Sequence, residues 1–131
     1  MPVSARPLSP FTSIYRWQIQ MVTSILHRVT GVALAFGTIL LCVALIALAS
    51  GPDAFAPVRT FCGSWFGLVL LFGWSWALSF HLLNGIRHLL QDIGKGFRIS
   101  QFVRNGWLAM LGSFVLTALI WACVLVQGAA A

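Results

Sequence analysis

Three stretches of this chain carry no Asp, Glu, Lys or Arg: 29–52, 60–86 and 105–131. Each exceeds the roughly 20 residues that an α-helix, rising about 1.5 Å per residue, needs to cross about 30 Å of hydrocarbon. A chain with three such stretches has no polar face left to turn toward water, which argues against a helical bundle in solution. Composition agrees: 60% of the residues are hydrophobic and only 8% are charged, against roughly 25% in an ordinary soluble domain. The fold class is all-α, an integral membrane protein with three transmembrane helices.

The whole chain, 1–131, reads as a single membrane-anchor domain. A polar, turn-rich segment with Pro2, Pro7 and Pro10 occupies about 1–20; the Ser9-Pro10 pair favours a turn or extended entry. The spans are expected at about 21–50, 60–87 and 105–126, with Gly51, Pro52 and Pro57 marking the first connecting loop. No secretory pattern precedes the first apolar run, and no long mitochondrial presequence is seen, which favours a bacterial chain in the inner membrane. Arg6, Arg16 and Arg28 flank the first span, and Arg87, Lys95, Arg98 and Arg104 flank the second connection. The first connection has only Arg59. Basic residues favour the cytoplasmic side, so the N-terminus and second connection are expected there, and the first loop and C-terminus on the periplasmic side.

The net charge of +6 belongs to these flanks, where cations meet anionic lipid headgroups. No zinc motif, basic aromatic sheet or recognition-helix pattern accompanies it, which argues against nucleic acid as a partner. Cys42, Cys62 and Cys123 have no metal-ligand spacing, and their odd number argues against a complete disulfide framework.

The second span carries a polar stripe. His81, Asn84, Gly85 and His88 follow at helical spacing, and Ala77 and Trp74 continue the face deeper into the span, with Ser75 and Ser79 pointing away. Polar groups in a lipid-spanning helix normally face protein or a cavity and often mark function. Two readings of His81 stand side by side: an axial ligand of a b-type haem, with small residues Gly85 and Ala77 leaving room for a flat macrocycle, or a hydrogen bond across a helix interface. His81 and His88 are seven residues apart, about 10 Å along one helix. They cannot ligate opposite faces of one iron, so a second histidine ligand would come from another chain. His27, near the membrane surface, is better suited to neighbour a propionate.

At the entrance of the first span Ser24, Arg28 and Gly31 share a face, with His27 beside them. Arg28 can donate to a quinone carbonyl or a propionate, and Ser24 to the same carbonyl. The alternative is a snorkelling arginine with a capping serine. Gly63 and Gly67 form a GxxxG pattern of low specificity. Trp17, Trp65 and Trp107 read as interfacial anchors, and Phe72, Trp74, Trp76 and Phe80 as packing.

These clusters carry a family resemblance. Arg6-Pro7-Leu8 is followed by Ser24-Ile25-Leu26-His27-Arg28-Val29-Thr30-Gly31. Then comes His81-Leu82-Leu83-Asn84-Gly85-Ile86-Arg87-His88-Leu89, with Asp92 and Gly94. In motif order, length and three-span layout the chain resembles the cytochrome b556 subunits of succinate dehydrogenase over nearly its whole length. The resemblance implies half of a helical anchor bundle that pairs with a second hydrophobic anchor subunit and holds an iron–sulfur subunit and a flavoprotein subunit at the cytoplasmic face. It implies one haem b shared between the two anchors, with His81 as an iron ligand. It also implies ubiquinone as electron acceptor near Ser24 and Arg28, a propionate side formed by His27, Arg28 and His88, and Asp92 at the polar mouth. Gln91 departs from the pattern, standing where an aromatic residue or methionine is usual.

No nucleophile or dicarboxylate-binding cluster is seen, so succinate is expected to bind on another subunit, and this chain is not an enzyme by itself. The competing classes are a purely structural anchor without haem and a small transporter subunit. The transporter reading needs several polar spans, and the third span is nearly featureless.

Overall fold

A computed structural model describes residues 10–130. They form one short turn of helix, α1 (Phe11–Ile14), and four longer helices: α2 (Ile19–Ser50), α3 (Pro52–Gly63), α4 (Trp65–Asp92) and α5 (Ile99–Ala130). The Arg6-Pro7-Leu8 motif, Pro2 and Ser9 lie outside the described residues. Pro10 precedes α1, and its carbonyl accepts from the backbone N–H groups of Ser13 and Ile14.

Helices α2, α4 and α5 are each long and apolar enough to cross a membrane. At 32 residues, α2 is about 48 Å long, so its ends extend past the hydrocarbon. The helix boundaries differ from the expected spans in an instructive way. Gly51 and Pro52 do break the chain: Gly51 has φ +118°, open to a residue without Cβ, and Pro52 takes the first helical turn. The segment beyond this break is a helix of 12 residues, not a loop, with Pro57 inside it. Pro57 occupies the second turn, where its ring costs one hydrogen bond and the helix survives. The expected second span therefore begins late, at Trp65. Ser64 sits at the junction of α3 and α4, and its Oγ accepts from the Gly67 N–H at 3.1 Å, capping α4. Gly67 does not pair two membrane helices. It lies under the Phe61 carbonyl, and a Cβ there would strike that backbone. The third helix starts at Ile99 and continues to Ala130, beyond both expected limits.

The turn between α4 and α5 is a Schellman motif. The Lys95 N–H bonds to the Leu90 carbonyl at 3.0 Å and the Gly94 N–H to the Gln91 carbonyl at 2.8 Å. Gly94 takes the left-handed conformation, φ +79°, the reason glycine stands there. The tight turn returns α5 alongside α2, with Ile19 packed on Gly106. The start of α2 and the α4–α5 turn thus share one end of the bundle, and α3 lies at the other.

Helix α4 is central and packs on both α2 and α5. The interior is small and polar. Among the described residues the buried side chains are Ala77, Phe80 and Ala109 with Thr23, Thr30, Ser79, Asn84, Arg87, Ser113 and Thr117, while large apolar residues of every span face outward. This is the pattern expected where lipid solvates Leu as well as another helix does, so that close backbone approach and hydrogen bonds hold helices together. Thr30, Ser79 and Thr117 donate to carbonyls one turn back in their own helices. Between helices, Trp121 Nε1 donates to Ser75 Oγ at 2.8 Å. Trp76 stacks between Phe80 and Phe114, with centroids at 5.8 and 5.4 Å. Trp17, Trp65 and Trp107 are exposed near helix ends, and the three cysteines are free.

Candidate functional site at the α2–α4 interface

The polar stripe of α4 divides between its two neighbours. Helical spacing turns Trp74, His81, Gly85 and His88 to α2 and Arg87 to Phe102 of α5, while Asn84 is fully buried and accepts from Arg87. Trp74 lies directly over Gly37 of α2, where any Cβ would collide with the indole. About two turns later His81 meets α2 at Thr30 and Gly31. Its Nδ1 is 3.2 Å from Thr30 Oγ1, and a Cβ on Gly31 would come within 3.1 Å of its Cε1. Gly31, which shares a helix face with Ser24 and Arg28 by spacing, admits the His81 ring.

His27 joins the cluster from α2. Its ring stacks on His81, with centroids 3.9 Å apart and planes 9° from parallel. It lies 5.2 Å from the His88 ring at 53°. Gly85 faces His27, with ordinary van der Waals clearance for a Cβ. The three histidines thus gather on one side of the bundle, but they do not form a group able to hold a metal ion directly among the described residues. Stacked side by side, His27 and His81 also cannot approach one iron end-on from opposite sides.

Two ring nitrogens of the cluster have no hydrogen-bond partner among the described residues. His27 Nδ1 is buried without a hydrogen-bond partner, which costs about 1–3 kcal/mol unless something supplies one. His81 is only half-buried, and its Nε2 has no partner and is not sealed within the chain. Imidazole Nε2 is a common iron-binding atom, and an open Nε2 on a ring held from its other side by Thr30 and Gly31 fits a haem ligand.

Ser24 and Arg28 stand one turn apart at the same end of α2. Ser24 is half-buried and Arg28 is exposed, and neither has a side-chain hydrogen-bond partner among the described residues. Asp92, the last residue of α4, makes no ion pair with the cluster. Gln91 is half-buried with its Nε2 unpartnered.

Two residues were not singled out by sequence reasoning. Thr30 is a hydroxyl inside an apolar run, 3% exposed, and that alone is a signal in a membrane helix. Arg87, counted with the charges of the second connection, is instead 6% exposed between α4 and α5. Its guanidinium lies 4.4 Å above the Phe102 ring and donates to Asn84 Oδ1 at 3.3 Å. Its spacing from His88 gave no hint of this, because only the position of α5 decides which side of α4 is covered.

Residues 3–120 match the family model described as succinate dehydrogenase/fumarate reductase transmembrane subunit. The chain is 42% identical to the succinate dehydrogenase cytochrome b556 subunit of Paracoccus denitrificans, over 87% of this chain and 88% of that protein. It is 43% identical to the protein of the same name from Rickettsia felis, over 88% and 90%. A mitochondrial relative, the succinate dehydrogenase cytochrome b560 subunit of Sus scrofa, is 38% identical over 82% of this chain and 65% of its own length. A match covering all three spans and the histidine cluster makes this chain a member of the succinate dehydrogenase/fumarate reductase transmembrane subunit family.

Proposed function

We propose that this chain is a haem-b-holding membrane anchor of a succinate:quinone oxidoreductase, and that the α2–α4 histidine cluster is its half of the haem site. The observation that carries the reading is His81: an imidazole on the polar side of an apolar span, its ring set between Thr30, Gly31 and His27, with Nε2 left open. The relatives' name, cytochrome b, supports the same cofactor. A haem b bound here supplies one-electron redox chemistry. His81 ligates its iron, and the second ligand comes from a second hydrophobic anchor subunit, since His27 and His88 cannot supply it. His27, through its unpartnered Nδ1, and His88 lie at the propionate side with Arg28.

Ser24 and Arg28 bind ubiquinone at the mouth. Both carry donors free of partners among the described residues, and a charge-assisted bond from Arg28 holds a quinone carbonyl as negative charge develops on it. The polar mouth, with Asp92 and the basic end of the bundle, faces the cytoplasm, where flavoprotein and iron–sulfur subunits dock and succinate is oxidised. The C-terminus is periplasmic and the membrane is the bacterial inner membrane. The charge bias supports this orientation even without the buried Arg87, because Arg16, Arg28, Lys95, Arg98 and Arg104 gather at one end.

The test is His81→Ala in the intact complex, read by low-temperature electron paramagnetic resonance and pyridine haemochrome analysis. The expected result is a changed low-spin signal, with haem retained in part through its other ligand and apolar contacts. Equal haem with an unchanged low-spin signal would overturn the assignment. His27→Ala and His88→Ala are expected to keep the low-spin ligation.

A further inference from the structure

The hydrogen bonds of Thr30 settle which nitrogen of His81 carries its proton. A hydroxyl has one proton to donate and two lone pairs. Thr30 Oγ1 lies 2.7 Å from the Leu26 carbonyl and 3.1 Å from the His27 carbonyl, both obligate acceptors. His81 Nδ1 is farther, at 3.2 Å. The hydroxyl proton goes to the nearest carbonyl, one turn back in α2, and a lone pair is what faces His81. Nδ1 must then be the donor, and the neutral ring keeps its lone pair on Nε2, the open atom. Thr30 is 3% exposed, so water does not compete for either role. Gly31 and the stacked His27 ring limit how far the imidazole can swing away from Thr30.

We infer that Thr30 is a positioning residue for haem: it accepts the Nδ1–H of His81, fixes the tautomer with Nε2 free for iron, and orients the ring. This rests on the assignment of His81 as a haem ligand. A ligand histidine whose second nitrogen donates to an acceptor is a more basic ligand, and a more basic ligand stabilises the oxidised iron. Thr30 therefore lowers the midpoint potential of the haem relative to a site lacking its hydroxyl.

The experiment uses the assembled complex with Thr30→Val, which keeps the branched shape and removes the hydroxyl, and Thr30→Ser, which keeps the hydroxyl. Redox titration and low-temperature electron paramagnetic resonance are read alongside haem content, with His81→Ala in parallel. Thr30→Val is expected to raise the midpoint potential and shift the low-spin g values, and Thr30→Ser to restore both to the wild-type side. If Thr30→Val does not assemble, Thr30→Ala carries the same expectation. A hydroxyl-free variant with wild-type potential and g values overturns the role of Thr30, provided that His81→Ala alters ligation. The proposal also falls if Thr30→Ser shifts as far as Thr30→Val, since the hydroxyl is then not what matters. If His81→Ala leaves the low-spin signal intact, the ligand assignment itself has failed, and the role of Thr30 with it.

Discussion

The two faces of α4 are built from similar residues to different ends. Toward α5 the seam is packed and partly hydrogen-bonded, although Trp76 Nε1, Asn84 Nδ2 and the Nε and Nη2 of Arg87 are buried without a partner. Ser75 accepts from Trp121, Ser79, Ser113 and Thr117 satisfy carbonyls within their own helices, and Trp76 is stacked on both sides by Phe80 and Phe114. Toward α2 the contact is made by an indole over a glycine and by histidines over small residues, and it ends in an unpartnered His27 Nδ1 and an open His81 Nε2. A polar group in a membrane interior is costly unless satisfied. Orphaned polar atoms stand on both faces, so what sets the α2 face apart is that three imidazoles gather there and that His81 leaves its Nε2 open. Both faces are polar and both are rich in aromatics, so the side chains that gather at each, rather than the count of satisfied groups, separate packing from site.

That contrast can be broken at three places. The largest effect is expected from Gly37→Val. Trp74 occupies the space a side chain would need, so α2 must move away from α4. Overpacking of this kind costs about 1–3 kcal/mol, and a shift of the helix that carries His27 and Thr30 lowers haem content as well. Thermal unfolding of the purified complex with haem quantitation measures both. Wild-type stability in this variant would mean that α2 and α4 do not rely on close approach.

Arg28→Ala comes next and concerns the open face only. Losing one charge-assisted hydrogen bond of about 1.5–3 kcal/mol corresponds to a fall of roughly tenfold or more in quinone reduction. Electron transfer to a soluble acceptor that draws on the iron–sulfur subunit is expected to hold steady. Equal fractional losses in the two assays, at matched amounts of assembled complex, would remove Arg28 from the quinone site.

Trp121→Phe is expected to have the smallest effect, and it probes the α5 seam. It deletes the bond to Ser75 and leaves an aromatic ring against Phe72. Interhelical hydrogen bonds in membranes average about 0.6 kcal/mol, so the melting temperature should drop slightly. The haem spectrum and potential are expected to match the wild type, and a spectral change would show that the two faces are coupled through α4.

Much of this was legible in the residues. The absence of charge over 29–52, 60–86 and 105–131 dictates three membrane helices, because lipid leaves a backbone no other way to satisfy its polar groups. The spacing of His81, Gly85 and His88 dictates that they share a face of α4, because helical periodicity is local. The end of α4 is less legible: the span is expected to stop at about 87, and the helix runs on to Asp92 before Gly94 turns the chain with its positive φ.

What the residues left undecided depends on neighbours distant in sequence. The stretch from 51 to 59 carries two prolines and reads as a loop, but from Pro52 it is part of a helix that runs to Gly63, because neither proline removes more bonds than a short helix can lose. Asn84 lies on the histidine stripe by spacing, yet its carbonyl oxygen accepts from Arg87, whose guanidinium is held over Phe102 of α5. Thr30 and His81 are separated by 51 residues, and no periodicity within one helix can announce their contact. Periodicity determines which residues share a face, but only the packed bundle decides what that face meets. Here that decision places a threonine hydroxyl behind one histidine and leaves the other side of its ring open.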